Sequence, residues 1–81
     1  DAHPEMKERV QKSIQVVLHK LESIIKKGVH KGEINPDIDA AEEAKLIFAS
    51  IEGAIMLSRL FDDAATMQSV ISKLVSHIRS L

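Results

Sequence analysis

The sequence predicts an all-α protein with three helices, over about residues 4–31, 40–61 and 64–80. Apolar residues recur every three or four positions along the first and third segments, which is the period of an amphipathic helix. No segment alternates between apolar and polar residues over the length of a strand. With 44% apolar and 28% charged residues in 81, the composition excludes intrinsic disorder, and charges interrupt every apolar run before it could span a membrane.

The first helix is predicted from its start signal, its apolar stripe and its stop signal. Pro4 suits the first turn because its missing N–H costs nothing there. Gly28 and Gly32 both offer a left-handed end, and we expect Gly32 to be the stop because Val29 continues the stripe. The stripe consists of Met6, Val10, Ile14, Val17, Leu18, Leu21, Ile24 and Ile25.

A connector separates the first helix from the second. Pro36 disfavours a helical conformation at Asn35 and removes a backbone donor. Asp39 stands three residues before Glu42, and its side chain is expected to accept a hydrogen bond from the Glu42 N–H. The second helix is therefore predicted to begin at about Ala40.

The second helix is apolar on two faces, which is typical of a buried helix. Gly53 lies in its middle at a cost of about 1 kcal/mol relative to Ala, which implies that close packing needs it. Two explanations remain open: a contact with another helix of this chain, or a contact with a second chain. One face contains Ala44, Ile47, Phe48, Ile51, Ala54 and Ile55; the other contains Leu46, Ala49, Gly53, Met56, Leu57 and Leu60.

The third helix follows Asp62 and Asp63, which interrupt the apolar pattern and are expected to cap it. It is amphipathic, and His77 borders its apolar stripe, where a hydrogen bond at an interface is more plausible than a metal ligand. The stripe consists of Met67, Val70, Ile71, Leu74, Val75, Ile78 and Leu81.

The residues that could support catalysis or metal binding form no constellation. The four His residues show no pair at four-residue spacing on a helix. The acidic pairs Glu42-Glu43 and Asp62-Asp63 lie at helix starts, where carboxylates are favoured electrostatically. With no Cys and no Ser in a nucleophile motif, we expect no catalytic, metal or cofactor site, and no enzyme.

Size and charge limit the partners. A core of 81 residues barely offsets the entropy of ordering the chain, so self-association is the expected supplement. The formal net charge of −1 argues against nucleic-acid contact by these residues, and the first helix lacks Trp and Phe to seat in a lipid surface. Residues 1–5 are polar and carry no targeting signal. The sequence also lacks an initiator Met, so the chain is either processed or, as we expect, a piece of a longer protein. The absence of Cys makes the cytoplasm the default expectation.

One stretch resembles the C-terminal part of TetR-family transcriptional regulators. It begins with Gly32-Glu33-Ile34-Asn35-Pro36-Asp37-Ile38-Asp39 and continues with Ala44 and with Glu52-Gly53-Ala54-Ile55. That family often closes with a long helix, a Gly-Glu-apolar connector and two final helices with a glycine inside a helix. The resemblance spans residues 1–81 as the last three helices of such a regulator.

The resemblance implies a dimer in which the last two helices pair with their symmetry mates as a four-helix bundle. It also implies an effector pocket beside the long helix, and operator binding by a helix-turn-helix domain that these residues lack. The interface candidates are Ala49, Gly53, Met56, Leu60, Met67, Val70, Ile71, Leu74 and Ile78. The pocket candidates, for a small apolar effector, are Val17, Leu21, Ile24, Phe48 and Ile51.

The function expected from the sequence is therefore a ligand-binding and dimerisation domain of a one-component repressor. The alternative is a structural helical module that binds a protein partner and no small molecule. The second apolar face of the second helix is also open to two interpretations, because it could meet a symmetry mate or helices upstream of this sequence.

Overall fold

The computed structural model describes residues 3–81 and contains three helices, with no strand in that range. Helix α1 covers Pro4–His30, α2 covers Ala40–Leu60 and α3 covers Ala64–Arg79. The prediction of three helices is confirmed. Each helix starts at the predicted residue and ends one residue before the predicted C-terminal end. The first two residues, at the polar start of the sequence, lie outside the described part.

The three helices form one layer with α2 in the middle. Helix α2 packs against α1 on one side and α3 on the other, and within residues 3–81 α1 and α3 do not pack against each other. The layer measures 44 × 34 × 14 Å, and a helix with its side chains is about 10–12 Å across. The radius of gyration is 15.0 Å, whereas a compact domain of this length is expected to have about 12 Å. The fold is thus one helix thick.

The core lies at the end of the layer where the connector joins α1 to α2. Two alanines of α2 allow the helices to approach closely, because their side chains end at Cβ. Leu18, Leu21, Ile34 and Ile38 cover the edges of the buried cluster. The cluster consists of Ile25, Ala40, Ala44, Ile47 and Leu74.

Helix α1 ends in a Schellman motif at Gly32. The φ angle of Gly32 is +78°, a left-handed conformation that glycine adopts without steric cost. The Glu33 N–H donates to the Gly28 carbonyl at 2.8 Å, and the Gly32 N–H donates to the Val29 carbonyl at 3.0 Å. These two bonds satisfy carbonyls that the helix end would leave unpaired, and they confirm the predicted stop.

Gly28 makes room for the connector. A Cβ atom built on Gly28 would lie 2.5 Å from Cδ1 of Ile34 and 3.0 Å from its Cγ1. The Ile34 side chain therefore packs directly over the backbone of the last turn of α1. This contact sets how the connector leaves the helix.

The rest of the connector is held by hydrogen bonds. The Asp37 N–H donates to Oδ1 of Asn35 at 2.9 Å, which is an Asx turn of the kind that Asn-Pro favours. The Asn35 N–H donates to the carbonyl of Leu81 at 2.8 Å. The end of α3 is thus tied to the corner between α1 and α2.

Aspartates cap the two later helices. The Glu42 N–H donates to Oδ1 of Asp39 at 3.1 Å, as predicted. Asp63 accepts from the Ala65 N–H and from the Thr66 hydroxyl, both at 3.0 Å. Asp62 instead ends α2 with a φ angle of +50°, a conformation that Asp tolerates better than most residues.

Candidate functional site

The main candidate site is one uncovered face of α2. We call it the outer face; it contains Leu46, Ala49, Gly53, Met56 and Leu60. Leu46, Met56 and Leu60 are 46%, 60% and 70% exposed there, and the adjoining Phe61 is 68% exposed. The chain exposes 6431 Å², whereas a compact monomer of 9.0 kDa is expected to expose about 4,900 Å². The excess of roughly 1,500 Å² has two sources: both faces of the layer are uncovered, and residues 3–13 at the start of α1 are all exposed.

Gly53 lies on this outer face and faces open space. A Cβ atom built on Gly53 meets no atom within 4 Å. Within residues 3–81, Gly53 therefore packs against no other helix, and a contact with a second chain or with helices upstream of these residues remains. A glycine in the middle of a helix costs about 1 kcal/mol relative to Ala, and no contact within residues 3–81 explains why Gly53 is retained there.

Helical projection divides the predicted interface residues between the two sides of the layer. Gly53 and Leu60 lie within about 40° of Leu46 around α2, and Leu46 shares a groove with Lys73 of α3. Ile78 lies about 140° from Lys73 around α3, on the opposite side. Four residues of the set lie on the groove side: Ala49, Gly53, Met56 and Leu60. Val70 lines the groove itself, Met67 is half-buried and Leu74 belongs to the core. Ile71 and Ile78 lie on the other side of the layer.

Three of the five predicted effector-pocket residues are exposed. Val17 and Ile24 are 41% and 64% exposed along α1, and Ile51 is 36% exposed on α2. Leu21 packs against the core, and Phe48 is half-buried. We call the three exposed residues Val17, Ile24 and Ile51 the apolar strip; further walls would be needed to enclose a ligand against them.

One side-chain hydrogen bond joins α2 to α3. Nε2 of His77 lies 2.7 Å from Oε2 of Glu43, and the two side chains are partly buried. The hydrogen bond expected at His77 is thus present, but its partner lies in the same chain. The sequence interpretation of Glu43 as an acid favoured at a helix start missed this second role, because only the packing of α3 on α2 brings residue 77 near it.

A groove between α2 and α3 was not foreseen from the sequence. It has a volume of about 280 Å³. Its lining combines apolar side chains with two hydroxyls, one ammonium and one imidazole. The lining residues are Leu46, Ser50, Ser69, Val70, Lys73, Leu74 and His77. The signal in the sequence is the four-residue spacing of Ser69, Lys73 and His77, which places them in one row along α3.

The outer edge of α1 is basic. Nζ of Lys26 lies 2.7 Å from Oε2 of Glu22, and the hydrogen bond and charge of Glu22 raise the pKa of Lys26 above its usual value.

Within residues 3–81, no group of three or more His, Cys, Asp or Glu side chains could hold a metal ion. None of the helices in that range is long and apolar enough to cross a membrane.

In a comparison with protein families, the chain matches the family described as tetracyclin repressor-like, C-terminal domain. The match covers residues 1–74, which include α1, α2 and the first two thirds of α3. Comparisons with curated proteins and with solved structures gave no match. The family match agrees with the order of a long helix, a glycine-led connector and two further helices.

Proposed function

Because the chain belongs to the tetracyclin repressor-like C-terminal domain family, we propose that it dimerises and binds a ligand for a one-component transcriptional repressor. Operator DNA is then bound by a helix-turn-helix domain that is not among these 81 residues. The regulator acts in the cytoplasm. The ligand is a small apolar effector.

The outer face of α2 carries this proposal. Domains are normally built from at least two packed layers, and this chain forms a single layer 14 Å thick. The outer face combines exposed Met56 and Leu60 with the small residues Ala49 and Gly53. Small residues four apart let a second helix approach closely, so a second copy supplies the missing layer. Helices α2 and α3 of both copies then form a four-helix bundle through the groove side of the layer, and Ile71 and Ile78, on the other side, lie outside this interface.

The area of one face is sufficient for a stable dimer. If each copy buries about half of the excess, from one face of the layer, the interface totals about 1,500 Å². Stable, specific interfaces bury about 1,200–2,000 Å², and weak transient contacts bury less than about 1,200 Å². The exposed apolar residues of α2 are of the kind that the centre of such an interface contains.

The proposed mechanism is a population shift between two arrangements of the dimer. An effector that binds more tightly to one arrangement changes the spacing of the two DNA-binding domains, and operator affinity changes with it. The apolar strip with Val17, Ile24 and Ile51 is the proposed contact of the effector. Ile51 supports this, because it belongs to α2 and a change there acts on the helix that is proposed to form the interface.

The test of the proposal is a matched pair of leucine substitutions. Gly53→Leu adds a large side chain to the outer face, and overpacking a close helix contact costs about 1–3 kcal/mol. Glu52→Leu adds the same side chain one residue away, on the polar strip of α2. We expect light scattering to show weaker association for Gly53→Leu and unchanged association for Glu52→Leu. Equal association of both variants contradicts the proposed interface.

A second candidate function is a helical interaction module without a small-molecule ligand. The exposure of Val17 and Ile24 favours it, since these residues line an open strip. A thermal-shift screen of apolar metabolites on the intact regulator distinguishes the two functions. A ligand that raises the melting temperature supports the effector-binding function, and a screen without hits supports the module.

A further inference from the structure

We propose that the second copy lies antiparallel to the first, with Met56 of each copy seated in the groove between α2 and α3 of the other. This inference rests on the proposed dimer and adds its orientation and its central contact. Three features carry it: the spacing of the residues on the outer face, the positions of a projecting side chain and a groove on either side of two small residues, and the lining of the groove.

The outer face has the spacing of a helix that pairs with another helix. Its five residues follow one another at steps of three, four, three and four, from Leu46 to Leu60. This alternation places side chains in one row where two helices pack lengthwise. Ala49 and Gly53 stand in the middle of the row, and a Cβ atom built on Gly53 meets no atom within 4 Å. A second α2 approaches most closely at this point.

A projecting side chain and a groove lie on opposite sides of this point. Met56, which is exposed, stands five residues after the midpoint of Ala49 and Gly53. Leu46, which lines the groove, stands five residues before that midpoint. At a rise of 1.5 Å per residue, each lies about 7.5 Å from it along α2. A two-fold axis that crosses α2 at the midpoint therefore brings Met56 of each copy level with the groove of the other.

The symmetry of a homodimer selects the antiparallel orientation. A two-fold contact joins the same surface of both copies, so that surface must be complementary to itself. In a parallel pair, Met56 would lie against its own symmetry mate, and both grooves would stay open to water. In an antiparallel pair each Met56 enters a groove, and Gly53 faces Ala49 of the other copy.

The groove has the walls and the volume for a methionine side chain. Leu46, Val70 and Leu74 supply apolar walls. It measures about 280 Å³, the liquid volume of roughly nine water molecules, so it takes a long side chain without a shift of its walls. Methionine is unbranched and flexible and fills gaps of irregular shape. Lys73 also lines the groove but is exposed, so its stem covers apolar surface while its charge stays in water.

The first experiment tests the orientation by disulfide formation, because the chain contains no cysteine of its own. Glu42 and Leu60 are eighteen residues apart, about five turns of a helix, so they point the same way from α2. In the antiparallel dimer, Glu42 of one copy lies level with Leu60 of the other. The two copies of Glu42 lie about 27 Å apart along α2, whereas a disulfide needs Cα atoms within about 7 Å.

The variants Glu42→Cys and Leu60→Cys are oxidised separately and after mixing for long enough to exchange subunits. Neither substitution changes Met56 or the groove. We expect covalent dimers from the mixture and almost none from either variant alone. Covalent dimers from each variant alone, or a mixture that sediments as a dimer without forming disulfides, would overturn the antiparallel orientation.

The second experiment tests the contact of Met56 with the groove. Leu46 and Met56 lie about 15 Å apart along α2, so within one chain they do not touch. We expect Met56→Ala and Leu46→Ala each to weaken association about tenfold. The double variant should lose much less than the product of the two effects, because either substitution already removes the contact.

The matched control for this cycle is Ile78→Ala, on the other side of the layer. Its effect on association should multiply with that of Met56→Ala, since the two side chains share no contact. Multiplicative losses for Leu46→Ala with Met56→Ala as well would overturn the contact between Met56 and the groove.

The dimer and its orientation can fail separately. If the unmodified chain sediments as a monomer, the proposed dimer fails and the orientation fails with it. If the chain sediments as a dimer while each cysteine variant forms disulfides with itself, the dimer stands and only the orientation is wrong.

Discussion

The contact between Gly28 and Ile34 predicts an energetic coupling between two residues that sequence analysis treats separately. An alanine at Gly28 gains about 1 kcal/mol of helix propensity. Its Cβ atom, however, would lie 2.5 Å from Cδ1 of Ile34, so Ile34 must turn away from the core that it covers. Overpacking of this kind costs about 1–3 kcal/mol, and we expect Gly28→Ala to be neutral or destabilising by up to about 2 kcal/mol.

A double-mutant cycle isolates this effect. Ile34→Val removes Cδ1, the atom closest to the new Cβ, and by itself costs about 0.5–1.5 kcal/mol. In that background Gly28→Ala should recover part of its helix propensity, giving a coupling of about 1 kcal/mol or more. The free energies come from urea unfolding followed by far-UV circular dichroism, at one protein concentration because association would shift them. Additive effects within about 0.5 kcal/mol refute the reasoning.

Two further predictions concern the ends of the helices and their link. Asp39→Ala removes the cap of α2 and should lower the free energy of unfolding by about 0.5–2 kcal/mol, whereas Asp37→Ala should change it little; equal losses in urea unfolding would contradict the cap. Glu43→Ala removes the hydrogen bond to His77 and should cost about 0.5–1.5 kcal/mol. In the His77→Ala background the same substitution should cost less, and an unchanged cost would show that the bond contributes nothing to stability.

Much of the fold could be predicted from the sequence because its signals are local. Pro4, Gly32 and Asp39 act through the backbone of the turn in which they lie, and each marks a helix boundary that the structure confirms within one residue. The left-handed conformation of Asp62 is a different case. Asp62 and Asp63 are both of a residue type that caps helices, so the sequence does not distinguish them. The backbone path out of α2 decides that Asp63 caps α3.

The surfaces were harder to predict because they depend on which helices are neighbours. Periodicity groups Leu74 with Ile78 in one stripe, but α3 meets α2 along only part of that stripe. Leu74 is therefore buried and Ile78 is 39% exposed. The groove with Lys73 and the bond between His77 and Glu43 join residues far apart in sequence, and no spacing within one helix reveals such pairs.

The most direct test of the account is the mass of the unmodified chain in solution. Sedimentation equilibrium at tens of micromolar measures it without any variant, and the concentration dependence of the melting temperature supplies a second readout. The account predicts a particle of twice 9.0 kDa, with a melting temperature that rises with concentration. A species of 9.0 kDa that unfolds cooperatively at the same temperature at every concentration would contradict it.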